Sequence, residues 1–178
     1  MKFFIGIIPP EEYKDRISAF RNRWKNNRID QIVEPHITLK AQGGLTENLK
    51  WISRIKEVCS ETEPFRIELN KAMFFGEEIL YLSALSEDLH KLHEKIVNSV
   101  EPSKVIEKYF ELDHFVPHLT LGKTTYGLTK QDLKDMAAVV ETEIGPYPVL
   151  DVNFIRIYRE MEQNKYVKFD DLYLGDKI

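Results

Sequence analysis

Two short runs hold residue types suited to acid–base work on a phosphate: Pro35-His36-Ile37-Thr38-Leu39 and Pro117-His118-Leu119-Thr120-Leu121. Alternate residues of a strand face opposite sides. As strands, these runs put His36, Thr38 and Lys40 on one face, with Ile37 and Leu39 on the other. His118, Thr120 and Gly122 share a face in the same way, with Leu119 and Leu121 behind them. The apolar residues can then pack on helices while histidine and threonine look into a cleft. The proline before each histidine favours an extended approach.

Hydrolysis of a phosphodiester needs a base to take a proton from the attacking water and an acid to protonate the leaving oxygen. Two imidazoles on opposite sides of one phosphorus supply both, because histidine titrates near neutrality. Threonine hydroxyls can donate to the non-bridging oxygens, where charge must be held in the transition state. This chemistry requires no metal, and no cofactor is expected. From average residue usage, one such run arises by chance in on the order of one chain per thousand. Two runs at matching places in the chain are therefore not read as ordinary strand histidines.

The elements that position them repeat. A strand over Lys2–Ile8 stops at Pro9-Pro10, and a helix with Tyr13, Ile17, Phe20 and Trp24 at helical spacing follows. The first histidine strand spans Glu34–Ala41. Thr46 is placed to cap a second helix with the stripe Leu49, Ile52, Ile55 and Cys59. Two strands come next, Phe65–Phe74 and Ile79–Leu85, with a tight turn at Gly76-Glu77. The order then restarts. Ser86 caps a helix with Leu89, Leu92, Ile96 and Val100 inside, the second histidine strand spans Val116–Lys123, and Thr129 caps a helix through Glu143. Strands over Val149–Tyr158 and Tyr166–Leu174 close the chain. The pattern predicts an α+β fold of two pseudo-symmetric lobes, each an antiparallel-rich sheet backed by helices, with a central cleft. The expected organisation is a single bilobal domain over residues 1–178, with approximate repeat units 9–85 and 86–174.

Composition narrows the partners. With 25 Lys+Arg against 29 Asp+Glu the formal net charge is −4. This argues against a broad duplex DNA groove, whose affinity comes from neutralising many phosphates, and towards a small nucleotide or an RNA terminus. The single cysteine, Cys59, excludes an intrachain disulfide. The short apolar start reads as a buried strand, and no stretch reaches membrane-spanning length. A cytoplasmic monomer is expected, since the repeat already supplies two half-sites in one chain.

On these motifs the sequence resembles the 2H phosphoesterases, which include 2'-5' RNA ligase-like enzymes and cyclic phosphodiesterases. Both hallmark motifs stand without departure, as His36-Ile37-Thr38-Leu39 and His118-Leu119-Thr120-Leu121. The opening Phe3-Phe4-Ile5-Gly6-Ile7-Ile8-Pro9-Pro10 is also similar to the family's first strand, and the chain looks most like the small bacillus-type phosphoesterases. The resemblance implies a pseudo-twofold fold with the four motif side chains in a central cleft. It also implies that His36 is the proton donor and His118 the acceptor. The expected activity is metal-independent hydrolysis of a cyclic or 2'-5' phosphodiester of a nucleotide or RNA end. The alternative is a noncatalytic nucleotide or RNA-end binding module using the same cleft.

Other residues divide between functional and ordinary readings. Lys40 shares the His36 face and is a candidate to offset phosphate charge, or else a solvated lysine at a strand end. Lys123 points away from His118 if its strand is regular. Gly122 either admits substrate to the backbone or ends the strand. Phe4 and Tyr158 are candidate substrate-binding walls, with sheet packing as the ordinary reading, and Arg156 reads as a surface charge. His90 and His93 lie three apart on a helix and read as partly solvated, since no further metal ligands accompany them. The pair Asp170-Asp171 also lacks a second acidic cluster. His114 reads as part of the loop leading to His118, and Cys59 as buried and unreactive. The loops 28–33 and 101–113 are expected to flank the cleft.

Overall fold

The computed structural model describes residues 2–100 and 109–175. Strand β1 (Phe3–Ile7) ends before Pro9-Pro10, and helix α1 (Glu11–Arg21) begins with Glu11 and Glu12 in its first turn, where acids suit the helix dipole. The order continues β2 (Ile37–Lys40), α2 (Trp51–Ser60), β3 (Phe65–Phe75), β4 (Ile79–Leu85) and α3 (Glu87–Ser99). It ends with β5 (His118–Lys123), α4 (Lys130–Ile144), β6 (Val149–Val152), β7 (Phe154–Glu162) and β8 (Lys165–Tyr173). Two of the predicted caps form, at Ser86 and Thr129, while Thr46 does not cap α2, which starts at Trp51 with Lys50 at its N-cap position and no side-chain cap bond. The Leu89 amide donates to Ser86 Oγ, and Thr129 makes a reciprocal capping box with Asp132. Helix α2 starts later than its stripe suggests, because Leu49 has a left-handed φ of 59° and cannot belong to it.

The eight strands form one antiparallel sheet in the order β6-β3-β4-β5-β2-β1-β7-β8. This is an α+β fold, and the two histidine strands are its central neighbours, paired with Ile37 opposite Leu119. An approximate twofold relates the halves through that pair: β1 flanks β2 as β4 flanks β5, and β7 lies outside β1 as β3 lies outside β4. Each half combines two strands from before α3 with two from after it: β3 and β4 with β5 and β6, and β1 and β2 with β7 and β8. The reading of Val149–Tyr158 as one strand is corrected here. The ladder breaks at Asn153, so β6 pairs with β3 at one edge of the sheet and β7 pairs with β1 in the other half. Helices α1 and α4 pack together against β5, β3 and β4, while α2 and α3 pack together against β8, β2 and β3. Ile37, Leu39, Leu119 and Leu121 lie fully buried in the core between sheet and helices.

Both histidine strands carry a β-bulge at the same place. Lys40 stands opposite Ile5 but Thr38 stands opposite Gly6, so β2 has one residue more than β1 across that step. In β5, Gly122 stands opposite Leu80 and Thr120 opposite Tyr81. Alternation therefore shifts by one residue beyond each threonine.

A tight turn after β5 holds the 22–33 loop against the sheet. Gly127 has a φ of 104°, and Asn26 Nδ2 donates to its carbonyl at 2.9 Å. A Cβ there would lie 2.2 Å from the Asn26 carbonyl oxygen. Gly127→Ala should therefore cost about 2 kcal/mol, read as a lower midpoint in urea unfolding. An unchanged midpoint would contradict this account of the turn.

Candidate active site

The two histidines are held alike. His36 Nδ1 lies 2.8 Å from the Glu34 carbonyl, and His118 Nδ1 lies 2.7 Å from the Val116 carbonyl, each two residues earlier in the chain. A carbonyl only accepts, so each neutral ring carries its proton on Nδ1 and keeps a lone pair on Nε2. Across the Ile37–Leu119 pair the antiparallel register sets His36 beside Thr120 and Thr38 beside His118. The two histidines are then diagonal neighbours, roughly 7–8 Å apart and somewhat less at Cβ. All four side chains line one cavity of about 480 Å³, within the usual size for a small-molecule site.

Each imidazole also leans on a stacked aromatic pair. Phe4 and Tyr158 stack at 4.5 Å, and Phe4 lies 5.0 Å from the His36 ring. Phe75 and Tyr81 stack at 4.1 Å, with Phe75 5.0 Å from the His118 ring. Burial, with Arg21 and His118 adding positive charge, lowers the His36 pKa to about 4. Burial also lowers that of His118, and Lys123 acts in the same direction.

Behind His36 lies a charged anchor. Lys14, Arg156 and Tyr158 all donate to the Glu34 carboxylate, at 2.8, 2.8 and 2.9 Å. Burial alone would raise the Glu34 pKa, but these three donors hold it below the usual carboxylate value. Arg156 further grips Asp171 through Nε and Nη2, at 2.7 and 2.9 Å. Arg156 is therefore no surface charge, and Asp171 is committed to it. Tyr158 is 1 % exposed with its hydroxyl on Glu34, so it supports His36 from behind and offers no wall to a ligand. Phe4 is likewise taken up between Tyr158 and His36, and neither ring lines the cavity. Gly6 permits this packing, since a Cβ there would lie 3.2 Å from the Tyr158 ring.

The bulges overturn three readings based on regular alternation. Lys40 does not share the His36 face. Its side chain is 1 % exposed, and Nζ donates to the carbonyls of Ala41 and Gly43 and to the Glu111 carboxylate. Gly122 turns to the core, where a Cβ would meet Leu128, Leu133 and Met136. Lys123, by contrast, turns towards the cavity and lines it.

Two functional candidates escaped the sequence reading. Arg21, at the end of α1, is 2 % exposed and lines the cavity; it donates to Asp30 Oδ1 at 2.7 Å and to the Thr120 carbonyl. His93 is 2 % exposed, not partly solvated. Its Nδ1 meets the Leu39 carbonyl at 2.7 Å, its Nε2 accepts the Leu112 amide at 2.9 Å, and its ring stacks on Phe115 at 3.8 Å. Both lie on the buried stripes of their helices, Arg21 four residues after Ile17 and His93 four after Leu89. That placement was the available signal. With both nitrogens engaged, His93 has none to offer a metal, and among the described residues no group of three or more His, Cys, Asp or Glu could hold one. Cys59 is buried, which pushes its thiol up to about 12.

The expected flanking loops reach the cleft where they are described. Ile29 and Val33 line it from one side, and Tyr109, Phe110, Phe115 and Val116 from another. Residues 101–108 of the second loop lie outside the described residues. His114 is exposed at the end of a short 3-10 turn (Leu112–His114). No helix among the described residues is long and apolar enough to cross a membrane.

Comparison with known proteins places this geometry in context. The family model described as the 2'-5' RNA ligase superfamily matches residues 9–156. An Oceanobacillus iheyensis protein, provisionally named a phosphoesterase, is 27 % identical over 128 residues, covering 69 % of this chain and 71 % of its own. The RNA 2',3'-cyclic phosphodiesterase of Methanocaldococcus jannaschii is 26 % identical over 170 residues, covering 89 % and 91 %. In structure, E. coli LigT complexed with 3'-AMP is similar with a TM-score of 0.61 at 15 % identity, covering 98 % of each chain.

The Lys40–Glu111 pair is buried on both sides, and removal of one partner strands the other without solvent. Lys40→Met and Glu111→Leu should each lower stability by about 3–5 kcal/mol, and the double variant Lys40→Met/Glu111→Leu by less than their sum. Urea denaturation checks this. Additive losses would show that the pair is not a unit.

Proposed function

Because the chain belongs to the 2'-5' RNA ligase superfamily and is in that sense a 2H phosphoesterase, we propose that it hydrolyses a cyclic or 2'-5' phosphodiester of a nucleotide or RNA end by proton exchange through His36 and His118. One observation carries this reading. Two imidazoles, each fixed through Nδ1 to its own backbone, stand diagonally across neighbouring strands in one cavity with a threonine beside each. The names of two relatives support the substrate class: a phosphodiesterase of RNA 2',3'-cyclic ends, and LigT, which holds 3'-AMP.

The steps follow from the tautomers. His118 Nε2 takes a proton from water as the water oxygen bonds to phosphorus. His36 Nε2 gives a proton to the oxygen whose bond to phosphorus breaks. One proton enters the pair and one leaves it, and water supplies what the product needs. Thr38 and Thr120 hydroxyls donate to the non-bridging oxygens, and Lys123 and Arg21 make the cleft locally positive in a chain of net negative charge. None of these steps calls on a metal. The order of roles, His36 as donor and His118 as acceptor, follows the family resemblance. In the empty cleft, burial and the charge of Arg21 keep His36 neutral, so the substrate's anionic phosphate must supply the charge that lets it hold a proton.

His36→Ala and His118→Ala should each lower kcat at least about 100-fold on 2',3'-cyclic nucleotides, with the fold intact by circular dichroism. Activity surviving both changes would sink the proposal. The pH dependence tests it separately. Both imidazoles titrate below their ordinary value in the free protein. The bell-shaped profile of kcat/KM should thus peak on the acid side of about pH 6.5, and that of kcat at higher pH, since bound phosphate raises both pKa values. A kcat/KM maximum above neutrality would contradict the assigned burial effect.

A further inference from the structure

The two motif strands reach their histidines differently. Each imidazole is oriented by a carbonyl two residues earlier, and each of those carbonyls precedes a proline, which has no N–H to hold its peptide by. On the second motif the sheet makes up for this. β5 begins at His118 itself, and the Pro117 carbonyl, between Val116 and His118, accepts the Ala84 amide at 3.2 Å. On the first motif the strand starts later. β2 begins at Ile37, after His36, so the Glu34–Pro35 peptide lies outside the ladder. A carbonyl that is free to turn cannot hold a ring, and a misplacement of about 1 Å is enough to lower turnover roughly 100-fold.

The Glu34 side chain is placed to hold that peptide. Its Oε1 accepts from Arg156 Nη1 at 2.8 Å and from the Tyr158 hydroxyl at 2.9 Å, and its Oε2 accepts from Lys14 Nζ at 2.8 Å. The donors stand on β7 and α1, so the grip comes from two elements outside the motif strand. Each cation also has a carboxylate of its own. Arg156 is paired with Asp171, and Lys14 with Glu11, so neither depends on Glu34 to balance its charge. The residue at the same place before His118 is Val116, which has no group that could be gripped in this way.

We propose that Glu34 is a positioning residue for His36: its clamped carboxylate does for the first histidine what the β4 ladder does for the second. Fixing the side chain fixes the peptide, and the peptide carbonyl keeps the His36 proton on Nδ1 and the lone pair on Nε2. The proposal rests on the phosphoesterase reading for the proton that His36 passes on, and on the hydrogen bonds alone for the orientation of the ring.

The test uses the full chain labelled with nitrogen-15 histidine at about pH 8, above the ordinary histidine pKa, with His118 as the reference inside the same molecule. Long-range proton–nitrogen spectra of the wild type should show both rings protonated on Nδ1. Glu34→Ala should move His36 to a mixture of tautomers and leave His118 as it was. Its kcat on 2',3'-cyclic AMP should fall about 10- to 100-fold, with KM little changed. The fold should survive, since Lys14 and Arg156 keep Glu11 and Asp171. Glu34→Gln retains an oxygen for Arg156 and Tyr158 without the charge, and should restore both the tautomer and most of the turnover. An unchanged His36 ring in Glu34→Ala overturns the proposal, as does a shift of both rings together or a Gln variant that behaves like the Ala one. A shift confined to His36 in a protein that hydrolyses no cyclic phosphate keeps the positioning role and overturns the phosphoesterase reading.

Discussion

The pairing of Ile37 with Leu119 at the centre of the sheet is the contact from which the candidate site is built. Antiparallel register gives a pair of opposite residues a local twofold, and the same short sequence on both sides completes it. Side chains one step to either side then fall into place without further instruction: histidine beside threonine, twice, facing away from the core. The apolar pair that makes this contact is fully buried, and a slip of one residue would send both histidines into the core. Burial of Ile37, Leu39, Leu119 and Leu121 therefore fixes the geometry of the polar face that they do not touch.

The symmetry stops at the supports behind each ring. The carbonyl that orients His36 belongs to Glu34, whose carboxylate is gripped by Lys14, Arg156 and Tyr158. The carbonyl that orients His118 belongs to Val116, an exposed apolar residue lining the cleft. One imidazole thus stands on a cross-linked network through β7 and β8. The other stands on the segment that also carries the apolar wall. That division suits a site whose two ends do different work, one rigid about a phosphate and one shaped by what is attached to it.

The wall itself is tied to the first histidine strand. His93 bridges the Leu39 carbonyl and the Leu112 amide, and Lys40 reaches Glu111 from the end of the same strand. Buried charge is costly unless paired, so the pair docks the segment at one place and disfavours others. The approach to the second motif is in this way registered against the first, although the two are far apart in the chain.

The sequence by itself determined the element order through α4, the helix caps at Ser86 and Thr129, the two histidine strands and the face that their histidines and threonines share. These are local: period, capping chemistry and a repeated motif need no distant partner. It could not show that residues 149–158 split between opposite halves of the sheet, because the break at Asn153 is made by which strands pair, not by composition. Nor could it show the bulges. A single extra residue in a ladder exists only relative to the facing strand, and it sent Lys40 and Gly122 to the core and Lys123 to the cleft. Arg21 and His93 lay in apolar stripes where a polar residue reads as surface, until partners from other elements accounted for their burial. Chemistry carried by neighbours in the chain was legible; chemistry decided by pairing across the sheet had to wait for the fold.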